Sequence, residues 1–177
     1  MAAIDQPTVR AFFEAGDNGA TTAAKGRALE NLICYLFSQV PGVSITRRNE
    51  MNPFETEEID VALWNDAHAD GFFFLPNIIL IECKNWSAAV GSIEVNWFDS
   101  KLRNRGLDFG ILVAANGVSG DAGQVTAAHF TVAAALKECR RLIVFTKDEI
   151  LRLTDSDELV RSVKEKLCDL AVAGTIL

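Results

Sequence analysis

The run Ile78, Ile79, Leu80, Ile81 constrains this chain more than any other segment. Four consecutive branched apolar residues behind the breaker Pro76-Asn77 suit a strand covered on both faces. Within three residues the run then changes to Glu82, Cys83 and Lys84. Side chains along a strand alternate between faces, so Glu82 and Lys84 share one face and Cys83 takes the other. Charges at the end of an interior strand are costly unless partners satisfy them, so this strand end is the first place to look for chemistry.

A second strand precedes it. In Glu58–Trp64, Ile59, Val61 and Leu63 fall on one face and Glu58, Asp60 and Ala62 on the other, the pattern of a half-buried strand. The polar turn from Asn65 to Gly71 predicts an antiparallel hairpin, in which the Asp60 carboxylate would stand beside that of Glu82. Paired carboxylates repel unless a cation lies between them, and a few hard oxygen ligands with water positions to spare match Mg2+. Taken singly, each of these residues is more often a surface ion pair or a solvated charge. Their convergence is what points to a divalent metal site.

The remaining pattern fills in an α/β chain. Leu29, Leu32, Ile33, Leu36 and Phe37 recur at helical spacing, which predicts an amphipathic helix over residues 23–39, ended by Pro41-Gly42. A short helix over residues 5–16 precedes it, and a short strand, Val43 to Arg48, follows it. Beyond the central strand the expectation is a helix from Ser92 to Arg105, a strand from Phe109 to Ala115 and a helix from Gly123 to Lys137. A strand from Arg141 to Phe145 and a helical region from Lys147 to about Ala173 complete the chain. Alternating strand and helix in the second half implies parallel crossovers, so with the earlier hairpin the sheet should be mixed. At 177 residues, with no internal repeat or linker, one domain over residues 1–177 is expected.

Charge and composition exclude several classes. The balance of 17 basic against 24 acidic residues gives a net charge of -7, but residues 50–60 hold five of the acids, leaving 19 against 17 elsewhere. Basic clusters remain at Arg47-Arg48, at Lys101, Arg103 and Arg105, and at Lys137, Arg140 and Arg141. Apolar stretches such as Phe109 to Ala115 fall far short of the ~20 residues needed to span a bilayer, and the N-terminus carries no basic-then-apolar secretory signal, so the cytoplasm is the expected location. Cys34, Cys83, Cys139 and Cys168 stand far apart, three of them in apolar segments, which favours small buried residues over disulfides or a zinc knuckle. His68 and His129 have no nucleophile motif nearby, and Gly117 to Gly123 fits a turn with Ser119 or Asp121 as helix N-cap better than a phosphate loop.

Asp60 in Glu-Ile-Asp-Val, the signature Ile-Glu-Cys-Lys-Asn-Trp from 81 to 86 and Lys-Gly-Arg-Ala-Leu-Glu from 25 to 30 resemble the PD-(D/E)XK nuclease superfamily, in its Mrr-like restriction endonuclease branch. Ile59 stands where that pattern often has proline. The resemblance implies a restriction-endonuclease-like three-layer core, a mixed sheet flanked by helices, over about residues 21–146, with 147–177 as a C-terminal helical region. It implies that Asp60 and Glu82 are metal ligands, with the Cys83 backbone carbonyl as a third. Lys84 would orient or activate water and stabilise charge on the phosphate, and Glu30 would hold a metal-bound water or second ion. Arg27, three residues before Glu30, offers the competing account of a helical ion pair. The implied cofactor is Mg2+, with Mn2+ as substitute, and the implied substrate is DNA.

Candidate nucleic-acid contacts are Lys25, Arg27, Arg47, Arg48 and Lys101. Lys101 follows Trp97 by one helical turn, so it either faces the cleft or lies solvated over the indole. The leading function is a metal-dependent DNA endonuclease of the restriction or defence type. The alternatives are a structure-selective nuclease of the Holliday-junction-resolvase kind and a non-catalytic nuclease-fold subunit of a larger complex. No added DNA-reading module is legible, so a homodimer or a partner subunit should supply specificity.

Overall fold

A computed structural model describes residues 2–52, 55–123 and 125–176. Eleven elements follow in order among these residues: α1 (Gln6–Asp17), α2 (Thr22–Ser38), β1 (Val43–Met51), β2 (Glu58–Asn65), β3 (Ile78–Lys84), α3 (Ser92–Asn104), β4 (Phe109–Ala114), α4 (Ala128–Lys137), β5 (Arg141–Phe145), α5 (Lys147–Ile150) and α6 (Ser156–Ala173). The strands form one sheet in the order β1-β2-β3-β4-β5. β1, β2 and β3 pair antiparallel, whereas β3, β4 and β5 pair parallel. The sheet is therefore mixed, and the fold is α/β.

Side-chain parity sets the layers. Asn85, of the same parity as Cys83, donates its amide to the Lys25 carbonyl of α2 at 3.0 Å. Glu82, of opposite parity, meets Lys101 of α3 at 2.7 Å. The helix α2 thus covers the Cys83 face, with α1 packed on α2, and α3 covers the Glu82 face. Right-handed crossovers from β3 to β4 and from β4 to β5 place α4 on the same side as α3. Burial along β2 agrees: Ile59, Val61 and Leu63 are buried towards α2, and Asp60 and Ala62 are only half-buried on the other face.

The core lies on both sides of β3 and β4. All six residues of β4 are buried, as expected for a strand flanked by parallel neighbours. Phe98 and Leu102 of α3 descend onto Gly110, where a Cβ would lie 2.7 Å from Leu102 Cδ1 and 2.8 Å from Phe98 Cζ, so any larger residue forces these buried side chains to shift. A buried ion pair ties α3 to the start of β5. Arg140 donates to Asp99 through Nε at 2.6 Å and through an Nη at 3.0 Å.

Several expectations need correcting. The fourth helix begins at Ala128 rather than Gly123, because Gly120, Val125 and Ala127 take positive φ, which an α-helix does not allow. Its N-cap is Ala127, with no side-chain cap bond, so neither Ser119 nor Asp121 caps it; Gln124 lies outside the described residues. The C-terminal helical region is two helices, because Thr146 and Glu149 close a capping box on α5 and Asp155 starts α6 anew.

β1 runs on to Met51 rather than ending at Arg48, and in the loop that follows the Asn52 side chain accepts from Thr56 and Glu57; Pro53 and Phe54 lie outside the described residues. Of the four free cysteines only Cys83 is buried, Cys139 and Cys168 being exposed and Cys34 intermediate. The Lys137, Arg140, Arg141 cluster does not form a basic patch, since Arg140 is buried on Asp99 and Arg141 pairs with Asp108.

Candidate active site

The hairpin register brings the site together. Val61 pairs with Ile81, and continuing that antiparallel register by one residue sets Asp60 opposite Glu82. Asp60 Oδ2 accepts the Cys83 backbone N–H at 2.7 Å, which anchors the aspartate to the motif strand. Period-2 geometry puts Lys84 on the Glu82 face, and its Nζ lies 2.8 Å from Glu82 Oε1. From across the cleft, Lys101 Nζ of α3 reaches Glu82 Oε2 at 2.7 Å. Glu82, only 5% exposed, therefore sits between two ammonium groups, one on each oxygen.

Electrostatics follow from that packing. Burial and then the charge of Glu82 push the Asp60 carboxyl up to about 6. Burial pulls the Lys84 ammonium down, but contact with Glu82 and the nearby Asp60 outweigh it, so its pKa is raised. Lys84 is thus a permanent cation at neutral pH, suited to stabilising negative charge and not to taking a proton. Burial, followed by the charges of Asp60, Glu30 and Glu82, holds the Cys83 thiol well above its ordinary value, which rules it out as a nucleophile.

Asp60, Glu82, Cys83 and Lys84 are brought together with Lys101, and Glu30 lies near enough to Cys83 for its charge to help raise that thiol. Glu30 is buried on α2, accepts from Asn49 at 2.9 Å and lies 3.9 Å from Arg48, on the Cys83 side of the sheet. The cation beside it is Arg48 and not Arg27, whose side chain is exposed. Arg48 also donates to Asn31 at 2.6 Å. Arg47 is exposed, with Glu50 3.8 Å away. Lys25 lines a cleft of about 390 Å3 at the end of β3 with Asn85, Trp86, Asn116 and Lys147.

Sequence reasoning missed two contacts. Lys101 is neither solvated nor stacked on Trp97 but pairs with Glu82, and Glu57, one of the five acids in residues 50–60, binds Arg105 at 2.6 Å and Asn104 at 3.0 Å. The signal for the first was only the place of Lys101 on a helix that follows the motif strand, one turn after Trp97. The second had no sequence signal, since the pairing spans 48 residues.

A mixed sheet whose hairpin places an aspartate beside a Glu-x-Lys strand end, with helices on both faces, defines a nuclease of the restriction endonuclease type. Residues 21–163 match the family model Mrr_cat, restriction endonuclease, and the chain belongs to that family. Membership carries endonuclease activity of the hydrolase class and implies a DNA substrate; nucleases of this superfamily use divalent metals. No curated protein matches the chain. No helix among the described residues is long and apolar enough to cross a membrane.

Proposed function

We propose that this chain is a Mg2+-dependent endodeoxyribonuclease of restriction or defence, acting in the cytoplasm as one nuclease domain over residues 1–177. The observation that carries the reading is the convergence of Asp60, Glu82 and Lys84 from two adjacent strands on one half-open face. The donor set fits a hard dication: two desolvated carboxylates face each other, and the repulsion that raises Asp60 is what a cation relieves. Among the described residues no group of three or more His, Cys, Asp or Glu side chains gathers for a metal ion, so Asp60, Glu82 and the Cys83 backbone carbonyl are the proposed ligands. Bound there, Mg2+ or Mn2+ would supply Lewis-acid charge at the phosphate and lower the pKa of a bound water.

The chain's own residues do the rest. Lys84, held protonated, neutralises charge building on the phosphate oxygens in the transition state. Asp60 is fixed by the Cys83 N–H through Oδ2, which leaves Oδ1 as the oxygen proposed to face a metal ion. Glu30, buried on α2 and near enough to act on Cys83, is proposed to hold a metal-bound water or a second ion. The exposed Arg27 and Arg47, with Lys25 in the neighbouring cleft, are the proposed phosphate contacts.

Many other cations are already engaged by carboxylates, as with Arg105 on Glu57, Arg140 on Asp99 and Lys147 on Asp17. With a net charge of -7, this supports a homodimer or a larger complex as the source of grip and specificity. The test is cleavage of matched DNA and RNA duplexes with Mg2+, Mn2+, Ca2+ or EDTA, by the parent and by Asp60→Ala, Lys84→Ala and Glu30→Gln. DNA cutting with Mg2+ or Mn2+, lost in the first two variants and reduced in the third, is expected. Cutting by Lys84→Ala at the parent's rate would refute the mechanism.

A further inference from the structure

Glu82 has both oxygens occupied, and the two occupants differ in origin. Lys84 belongs to the same strand, whereas Lys101 comes from α3 and is the more enclosed of the two, its side chain 13% exposed against 23% for Lys84. An ammonium buried this far needs a fixed anionic partner, which a transient phosphate is not. Its backbone is fixed as well. The Lys101 carbonyl accepts from Arg105 at 2.9 Å, and Arg105 and Asn104 both donate to Glu57, the residue immediately before β2. The same carboxylate that staples the end of α3 thereby ties it to the strand that delivers Asp60.

Resting on the nuclease reading above, we infer that Lys101 is a second lysine of the catalytic motif, a positioning residue that fixes Glu82 through Oε2 and confines Lys84 to Oε1. Without it, Glu82 is free to rotate and take the Lys84 ammonium between both oxygens. That would draw Lys84 away from the phosphate it is placed to meet. The loss falls on turnover, because the DNA-binding surface is unchanged. A lysine acting by direct phosphate contact would instead raise KM and reduce the salt dependence of binding.

The experiment compares the full chain with Lys101→Met, Lys101→Arg, Lys84→Met and Glu57→Gln in steady-state DNA cleavage with Mg2+, alongside calorimetric titration with Mn2+ alone. Lys101→Met is expected to lower kcat by about 100-fold with KM within about threefold, since an ångström of misplacement has that scale of effect. Lys101→Arg should recover at least about tenfold of the loss, because it restores a cation on Oε2. Unchanged kcat, or a loss confined to KM, overturns the inference.

Lys84→Met separates the two claims. If it cuts like the parent, the nuclease reading of the site fails, whereas if it is dead and Lys101→Met is fully active, only the role of Lys101 fails. Mn2+ binding decides the matter even without cleavage. Removing an ammonium that competes for Glu82 should tighten Mn2+ by about threefold or more in Lys101→Met and leave Lys101→Arg near the parent, so equal affinities in all three count against it. Should Lys101→Met not fold, Glu57→Gln, which loosens the staple from outside the site, is expected to lower kcat about fivefold at constant KM, and a parent-like kcat overturns the positioning role.

Discussion

Asp60→Asn should make the protein more stable at pH 8 and leave it unchanged at pH 4. Burial and the facing Glu82 hold the Asp60 carboxyl at about 6 in the fold, against 3.8 for an unperturbed aspartate. Below about pH 4 the group is protonated in both folded and unfolded chains and contributes no difference. Above about pH 6 it is ionised in both, and the folded state bears the full penalty. Stability attributable to this group therefore falls as pH rises from about 4 to about 6.

At about 1.4 kcal/mol per pH unit the gap amounts to about 3 kcal/mol. An asparagine keeps an acceptor for the Cys83 N–H and removes the charge, so the variant escapes that penalty. For a chain of this size the gain corresponds to about 6–12 °C in Tm at pH 8. The raised pKa of Lys84 acts on the alkaline side and leaves this window untouched. Thermal melts of parent and variant in EDTA at half-unit steps from pH 4 to 8 make the measurement. A difference in Tm that stays flat across that range, or a variant less stable at pH 8, would refute the assignment of a destabilised carboxylate.

Glu82→Gln should move the other way, because it leaves two largely buried ammonium groups facing a neutral amide; a loss of about 3 kcal/mol is expected in the same melts at pH 7, and a Tm equal to the parent's would contradict the clamp. Asp99→Ala strips Arg140 of its bidentate partner and leaves it only Glu138; urea unfolding should show a loss of about 3–5 kcal/mol, far more than a surface pair would give. Gly110→Val drives a side chain against Leu102 and Phe98, at 2.7 and 2.8 Å already for its Cβ. A loss of about 1–3 kcal/mol should come with slower cleavage, since α3 also carries Lys101.

These predictions divide along the line between what the chain states locally and what only folding assembles. Parity did most of the work in the sequence. Once Ile59, Val61 and Leu63 define a buried face, Asp60 must point the other way, and a hairpin turn then forces it towards Glu82. The β3 motif declared itself because charge at the end of an apolar strand has no local excuse. The start of α4 was hidden because positive φ at Val125 and Ala127 runs against the preference of those residues, and composition cannot announce a backbone that tertiary contacts impose.

Glu30 was legible only in part, for a different reason. Helical spacing says which residues share a side of α2, but not which side of the sheet α2 will cover, and the answer came from Asn85 reaching Lys25 on the Cys83 face. Lys101 lies between these cases. Its helix position was legible and its destination was not, because the choice between solvent, indole and carboxylate depends on α3 crossing back over β3. The crossover is fixed by Phe98 and Leu102 seating on Gly110, so the glycine on β4 that shows no functional signature is what delivers the second lysine to Glu82.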